Sequence, residues 1–270
     1  MKNTLSICLL LISQLAHSQS LNTAPLDKIM LQSFAPTGTL RVGINLGNPV
    51  LAGIDPVSQK PKGVSIDIAN EIGKRIGLPV QLIPFQSAGA TVDATQSGSI
   101  DLIFVAIDPV RGEGLSYTPP YIQIEGAYLV KTSSLIKSND EVDVVGNEII
   151  VGKGSAYDLF LTREIKHATL LRAPNSQSVV SDFMGGQGTV AAGVKQQLES
   201  DAVRYPGSRI LPGRFMVINQ AIGIPKARPE YEKTNAYLSA IITDLKRSGF
   251  VANAMKHHDI QGAKVANEYR

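Results

Sequence analysis

From residue 39 onward the chain alternates β-branched runs with segments of helical apolar spacing, and that alternation restricts the fold more than any single motif. "TLRVGIN" (39–45) is β-rich, and "PVQLIPF" (79–85) is β-like again. Between them, "VSIDIANEIGKRIGL" (64–78) carries Ile66, Ala69, Ile72 and Ile76 at helical spacing. A further helix is expected near 90–97, and the run "IDLIFVAI" (100–107) reads as a buried strand. A β-α-β-α-β order predicts a parallel sheet covered by helices on both faces, because parallel neighbours need a crossover long enough to hold a helix. Ligands of such sheets sit outside the carboxyl ends of the strands, which places residues 45–48 and 108–111 at one rim.

A second series of the same kind follows. "NEIIVGKG" (147–154) reads as a strand and a glycine turn, and "SAYDLFLTREI" (155–165) as a helix with Ser155 for its N-cap. "ATLLRA" (168–173) is a strand and "NSQSVVSDFM" (175–184) a second capped helix. A helix is expected from about 190 to 203, then strands at "RILP" and "MVINQAIGIPK", then a long helix, an interruption at Gly249 and a short helix. Two α/β units with no Gly/Ser linker between them predict two lobes facing a cleft.

The first eighteen residues read as a separate object. Lys2 gives a positive start, "LSICLLLI" an apolar segment too short to span a bilayer, and "AHS" the small residues that a signal peptidase reads. Cleavage is expected after Ser18, with export to a bacterial periplasm. It would remove Cys8, the only cysteine, so the mature chain has no disulfide and must be held by core packing. The formal net charge of +3 would drop by the single charge of Lys2 to +2. With 26 basic against 23 acidic residues and no dense basic block, nothing in the 270-residue sequence asks for a nucleic-acid partner. No later segment approaches eighteen uncharged apolar residues.

Six stretches carry a resemblance. In order they are "GTLRVGI" (38–44), "PKGVSIDIANEIGKRIGLPVQLIP" (61–84), "QSGSIDLIF" (96–104), "DPVRGEGLSYTPPY" (108–121), "VGKGSA" (151–156) and "AIGIPKARPEYEKTNAYLSAIITDLKRSGF" (221–250). Together they resemble the extracellular solute-binding proteins of family 3, the polar-amino-acid type of periplasmic receptor for ABC importers, over nearly all of the mature chain. The resemblance implies an α/β, two-lobed periplasmic binding protein type II fold, each lobe a sheet flanked by helices, with a hinged cleft. Lobe I is expected to comprise 36–125 plus 222–270 and lobe II 126–221, after a signal peptide at 1–18. The crossings fall near 123–128 and 219–224, where Gly126 and Gly223 sit. The function implied is capture of a small polar carboxylate-bearing or amino-acid-like solute, which a monomer without cofactor presents to an inner-membrane permease.

The resemblance gives Arg111 the role of clamping the ligand carboxylate. A guanidinium suits that task because its planar fork makes two parallel charge-assisted bonds. The residues alone leave open a surface pairing of Arg111 with Asp108 or Glu113. Asp108 stands where the family has Ser or Thr, and it would either partly neutralise Arg111 or receive part of the ligand. Ser155, at the start of a helix, would add an anion contact through backbone N–H groups. Asn45 lies at the same rim. The family's ammonium-binding aspartates are missing from "GTVAAGVKQ" (188–196), which has Lys195 and Gln196 there, and the flanking aromatics of the ligand sandwich are missing too. An ordinary α-amino acid is therefore not expected, and Lys195 or Gln196 would face Arg111 across the cleft.

Other classes find less support in the residues. His167, His257 and His258 are not at metal-ligand spacing, and the last two are expected to be an exposed feature of a helix end. "GGQG" (185–188) lacks the lysine of a phosphate loop and reads as a helix-ending turn. Two alternatives remain: a cyclohexadienyl-dehydratase-like enzyme with Asp108 or Asp158 as its acid, and a ligand sensor acting in trans.

Overall fold

Strand β1 (Leu40–Asn45) is the centre of a parallel unit, and its two neighbouring strands both follow it in the sequence, each reached through a helical crossover. Helix α1 (Lys28–Phe34) precedes it; a small hairpin of β2 (Gly53–Ile54) and β3 (Pro61–Lys62), then α2 (Val64–Ile76), lead to β4 (Val80–Phe85). Helix α3 (Ala88–Gln96) leads to β5 (Leu102–Ala106), so that β4 and β5 flank β1 in parallel register. The computed structural model describes residues 26–267, so the expected signal segment, with Lys2 and Cys8, lies outside the described residues.

Burial explains these assignments. All five residues of β5 are buried, which is why its sequence is apolar without alternation. Helix α2 buries Ile68, Ala69, Ile72 and Ile76 along one stripe and ends at Gly77, whose φ of 71° closes the last turn through an N–H bond to the Gly73 carbonyl.

After the short helix α4 (Pro109–Gly112) and strand β6 (Leu115–Tyr117), the chain enters β7 (Ile122–Lys131), the first of two long strands in the middle of the sheet. The second half contains β8 (Glu148–Gly152), α5 (Ala156–Glu164), β9 (Thr169–Ala173), α6 (Val179–Met184), β10 (Val190–Val194), α7 (Lys195–Arg204) and β11 (Ser208–Ile210). The other long strand, β12 (Met216–Pro225), then returns to the first half, and α8 (Tyr231–Arg247), α9 (Phe250–His257) and β13 (Lys264–Val265) complete it. Strands β9 and β10 flank β8 in parallel, repeating the arrangement around β1.

Between the halves, β12 pairs antiparallel with β5 at 220–223 and with β7 at 216–220, while β7 pairs with β10 from Gly126 to Leu129. The sheet therefore runs β4-β1-β5-β12-β7-β10-β8-β9, and the main chain passes between its halves on β7 and β12. Gly126 sits where the two patterns meet. A Cβ there would lie 2.7 Å from Met216 Cγ and 2.9 Å from Phe215 Cζ, so its smallness allows close packing, with Phe215 stacked on Tyr128 at 4.4 Å.

Three expectations need correction. The segment 190–194 is a strand and not the start of a helix: "VAAGV" is buried on both faces between β8 and β7, and a short apolar run carries no period that separates strand from helix. Helix α7 begins only at Lys195. His258 is not a free tail residue, since its Nε2 lies 2.8 Å from Asp67 Oδ2 and ties the end of α9 to α2. Around α6 the helix is shorter than expected; Asn175 caps a turn by accepting from Ser178 N, and helical geometry starts at Val179.

The packing of α2 on β4 yields a stability prediction. Replacing glycine by alanine inside a helix ordinarily gains about 1 kcal/mol. At Gly73 the new Cβ would lie 2.1 Å from Val80 Cγ2 and 3.0 Å from the Leu78 carbonyl oxygen. Gly73→Ala is therefore expected to lose about 1–3 kcal/mol in urea unfolding. A gain would show that α2 has room to move away from β4.

Candidate functional site

Residues just beyond the carboxyl ends of β1, β4 and β5 meet those beyond β8, β9 and β10 around one cavity. It encloses about 410 Å³ of atom-free space, part of it open to solvent. One wall is built by Asn45, Asn48, Ser87, Arg111 and Gln220, and the other by Lys153, Ser155, Tyr157 and Ser176.

Arg111 reaches this place through local chemistry. Asp108 caps α4 by accepting from Val110 N at 2.9 Å, and Pro109 occupies the first helical turn, where its missing N–H costs nothing. The turn directs Arg111 inward, where it is 5% exposed. Its Nη1 donates to the Ala106 carbonyl at 3.1 Å and its Nη2 to the Gly154 carbonyl at 2.8 Å, the second bond reaching the opposite wall. Burial pushes its pKa below the usual arginine value, against the pull of Tyr117, Asp108 and Asp158. Among the described residues it has no ion-pair partner, so the pairing with Asp108 or Glu113 that the sequence left open does not form. Asp108, 3% exposed, instead bonds Arg163 Nη2 on α5 at 2.9 Å.

The opposite wall is the start of α5. Ser155 is its N-cap, as expected, with Oγ accepting from Asp158 N at 3.0 Å. Asp158 closes the exchange, since its Oδ2 accepts from Gly154 N at 2.8 Å while Oδ1 accepts from Arg172 Nε at 3.0 Å. Gly154 is thereby fixed at φ +70° with its carbonyl available to Arg111. A Cβ on Gly154 would stand 3.3 Å from the Gly89 Cα, so the two walls touch backbone to backbone. Tyr157, buried beside them, donates from its hydroxyl to Ser176 Oγ at 2.8 Å.

The structure thus brings Arg111, Ser155 and Asn45 together, and Asn45 uses its Oδ1 to accept from Gly47 N at 2.9 Å. Asp108 lies beside Arg111 in sequence but turns its carboxylate to Arg163. Lys195 and Gln196 do not line this cavity. Lys195 Nζ lies 3.4 Å from Glu125 Oε2 on β7, a carboxylate that Arg214 and Lys195 hold below the usual range. Gln196 packs against Gly262 and faces a separate cavity with Asp201 and Arg204. Both stand in the first turn of α7, directly after the strand at 190–194.

Ser87, Tyr157, Ser176 and Gln220 were not singled out from the sequence. Ser87 had a signal, being an N-cap at the carboxyl end of a strand, and it accepts from Ala90 N at 3.2 Å. Gln220 had none, because only the pairing of β12 with β5 and β7 puts it at the cavity. No group of three or more metal-ligating side chains occurs among the described residues.

The Asp108–Arg163 pair joins the two walls and can be measured. Asp108→Asn keeps the cap but removes the charge, and Arg163→Ala removes the partner. Because Arg163 is partly solvated, the coupling energy in a double-mutant unfolding cycle is expected at about 0.5–1.5 kcal/mol. Additive single effects would show that the pair does not hold the walls together.

Comparison with known proteins agrees with this geometry. The model of the bacterial extracellular solute-binding proteins, family 3, matches residues 40–258. No curated protein sequence matches significantly. Among solved structures, a mutant of ArgBP from T. maritima superposes with a TM-score of 0.72 at 17% identity, covering 84% of this chain and 98% of that one. The cysteine-binding protein of Campylobacter jejuni gives 0.73 at 17%, covering 91% and 97%. An ancestral amino acid-binding protein, described as a precursor of cyclohexadienyl dehydratase, gives 0.70 at 19%, covering 84% and 98%. These likenesses establish the two-lobed periplasmic binding protein fold. With a family match that spans most of its length, the chain belongs to the bacterial extracellular solute-binding proteins, family 3.

Proposed function

We propose that this chain is the periplasmic substrate-binding component of an ABC importer, and that it closes two lobes around a small carboxylate-bearing or amino-acid-like solute. Arg111 carries this reading: a buried guanidinium in a cleft between two sheet halves, with no carboxylate in ion-pair contact among the described residues. Burying an uncompensated charge is costly, and an anionic ligand supplies the missing counter-charge. Only two of the donors of Arg111 go to backbone carbonyls, and the remainder of its fork is left for the ligand. The first turn of α5 stands opposite, and its N–H groups and dipole favour negative charge at the same place.

On this reading, lobe I comprises 36–125 plus 222–270 and lobe II 126–221, following a signal peptide at 1–18. Lobe I binds first through Arg111, and bending of the β7–β12 pair brings Ser155 and the α5 terminus onto the ligand. The closed face is what a permease recognises. None of the helices among the described residues is long and apolar enough to cross a membrane. The solved relatives named for arginine and cysteine support a carboxylate-bearing solute. The chain catalyses no reaction in this account: Asp108 and Asp158, the acids nearest the cleft, are engaged by Arg163 and by Gly154 N and Arg172.

The test begins with native mass spectrometry and a thermal-shift screen of carboxylates and amino acids, followed by calorimetry on the strongest hit. Charge-assisted bonds contribute about 1.5–3 kcal/mol, so Arg111→Ala is expected to weaken binding about tenfold to a hundredfold, with Arg111→Lys between. Equal affinity in all three proteins would overturn the reading.

A further inference from the structure

We infer that the solute carries no ammonium group: the cleft is built for a 2-hydroxy acid, with preference for one that has a second carboxylate. This rests on the reading of Arg111 as the carboxylate anchor. The ionisable side chains on the cavity wall are Arg111, Lys153 and Tyr157, and burial pushes the hydroxyl pKa of Tyr157 up, so it stays neutral. No aspartate or glutamate lines the cavity. The two carboxylates just behind it are committed, Asp108 to Arg163 and Val110 N, and Asp158 to Gly154 N and Arg172.

An α-amino acid whose carboxylate sits on Arg111 must place its ammonium within one carbon of that contact. There the cleft offers a buried cation and neutral polar groups, and no counter-charge. Buried charges that are neither paired nor solvated are disfavoured, whereas a hydroxyl needs only neutral partners. Such partners are present. Asn45, Asn48, Ser87, Ser155, Ser176 and Gln220 line the wall, all of them neutral, and Asn48 has an amide oxygen buried without a hydrogen-bond partner. Lys153, exposed on the turn before α5, adds positive charge to the wall opposite Arg111. A second carboxylate at the far end of the ligand meets it there.

Matched pairs isolate the ammonium from every other variable. Calorimetry on unfolded and refolded, ligand-free protein would compare L-lactate with L-alanine, L-malate with L-aspartate and L-2-hydroxyglutarate with L-glutamate. The hydroxy acid is expected to bind at least tenfold tighter within a pair, and Lys153→Ala is expected to weaken the dicarboxylates several-fold more than it weakens lactate. Tighter binding of the amino acids, abolished by Arg111→Ala, would overturn this inference and leave the Arg111 anchor standing. If no member of any pair binds, both this inference and the carboxylate-capture reading fall. Equal weakening of lactate and malate by Lys153→Ala would remove Lys153 as the second-carboxylate contact.

Discussion

The buried guanidinium of Arg111, held between the Ala106 carbonyl on one wall and the Gly154 carbonyl on the other, is the contact on which the cleft depends. A cation in this position is poorly compensated by backbone dipoles alone. The arrangement is thus stable enough to bring the walls together but leaves an electrostatic demand that a ligand anion meets better than a carbonyl does. Binding and closure are then linked through one side chain, because the group that attracts the anion also touches the opposite wall.

Much of the surrounding structure exists to place that contact. Asp158 and Ser155 fix the turn at Gly154, and Gly89 allows the turn to approach α3 closely. Behind Arg111, the Asp108 cap and the Asp108–Arg163 pair orient α4. Further back, buried Asp101 gathers Arg41 and Arg228 and so joins the starts of β1 and β5 to the loop after β12. Charges in the interior are paired in every one of these cases. Arg111 departs from that pattern, and a group left unpaired in a cleft is a candidate for function.

The sequence made the parallel units around β1 and β8 legible, because helix and strand periods alternate cleanly there and Ser155 marks a helix start. It also set Arg111 at a rim beyond a strand's carboxyl end, while its role as a clamp came from the family resemblance. What stayed hidden depends on contacts between distant residues. Asp108 lies three residues from Arg111 in the chain, yet its partner Arg163 is 55 residues away and belongs to the other wall. The strand at 190–194 has no alternation to reveal it, since it is buried on both faces, and Lys195 and Gln196, which the family resemblance set facing Arg111, do not line the cleft. Gln220 reaches the cavity only through the register of β12.

The most direct measurement is a crystal structure of the protein with its bound solute. The account predicts a ligand carboxylate within hydrogen-bond distance of the Arg111 guanidinium, facing the first turn of α5, with both sheet halves in contact with the ligand. A solute bound elsewhere, with Arg111 still spanning the Ala106 and Gly154 carbonyls alone, would contradict it.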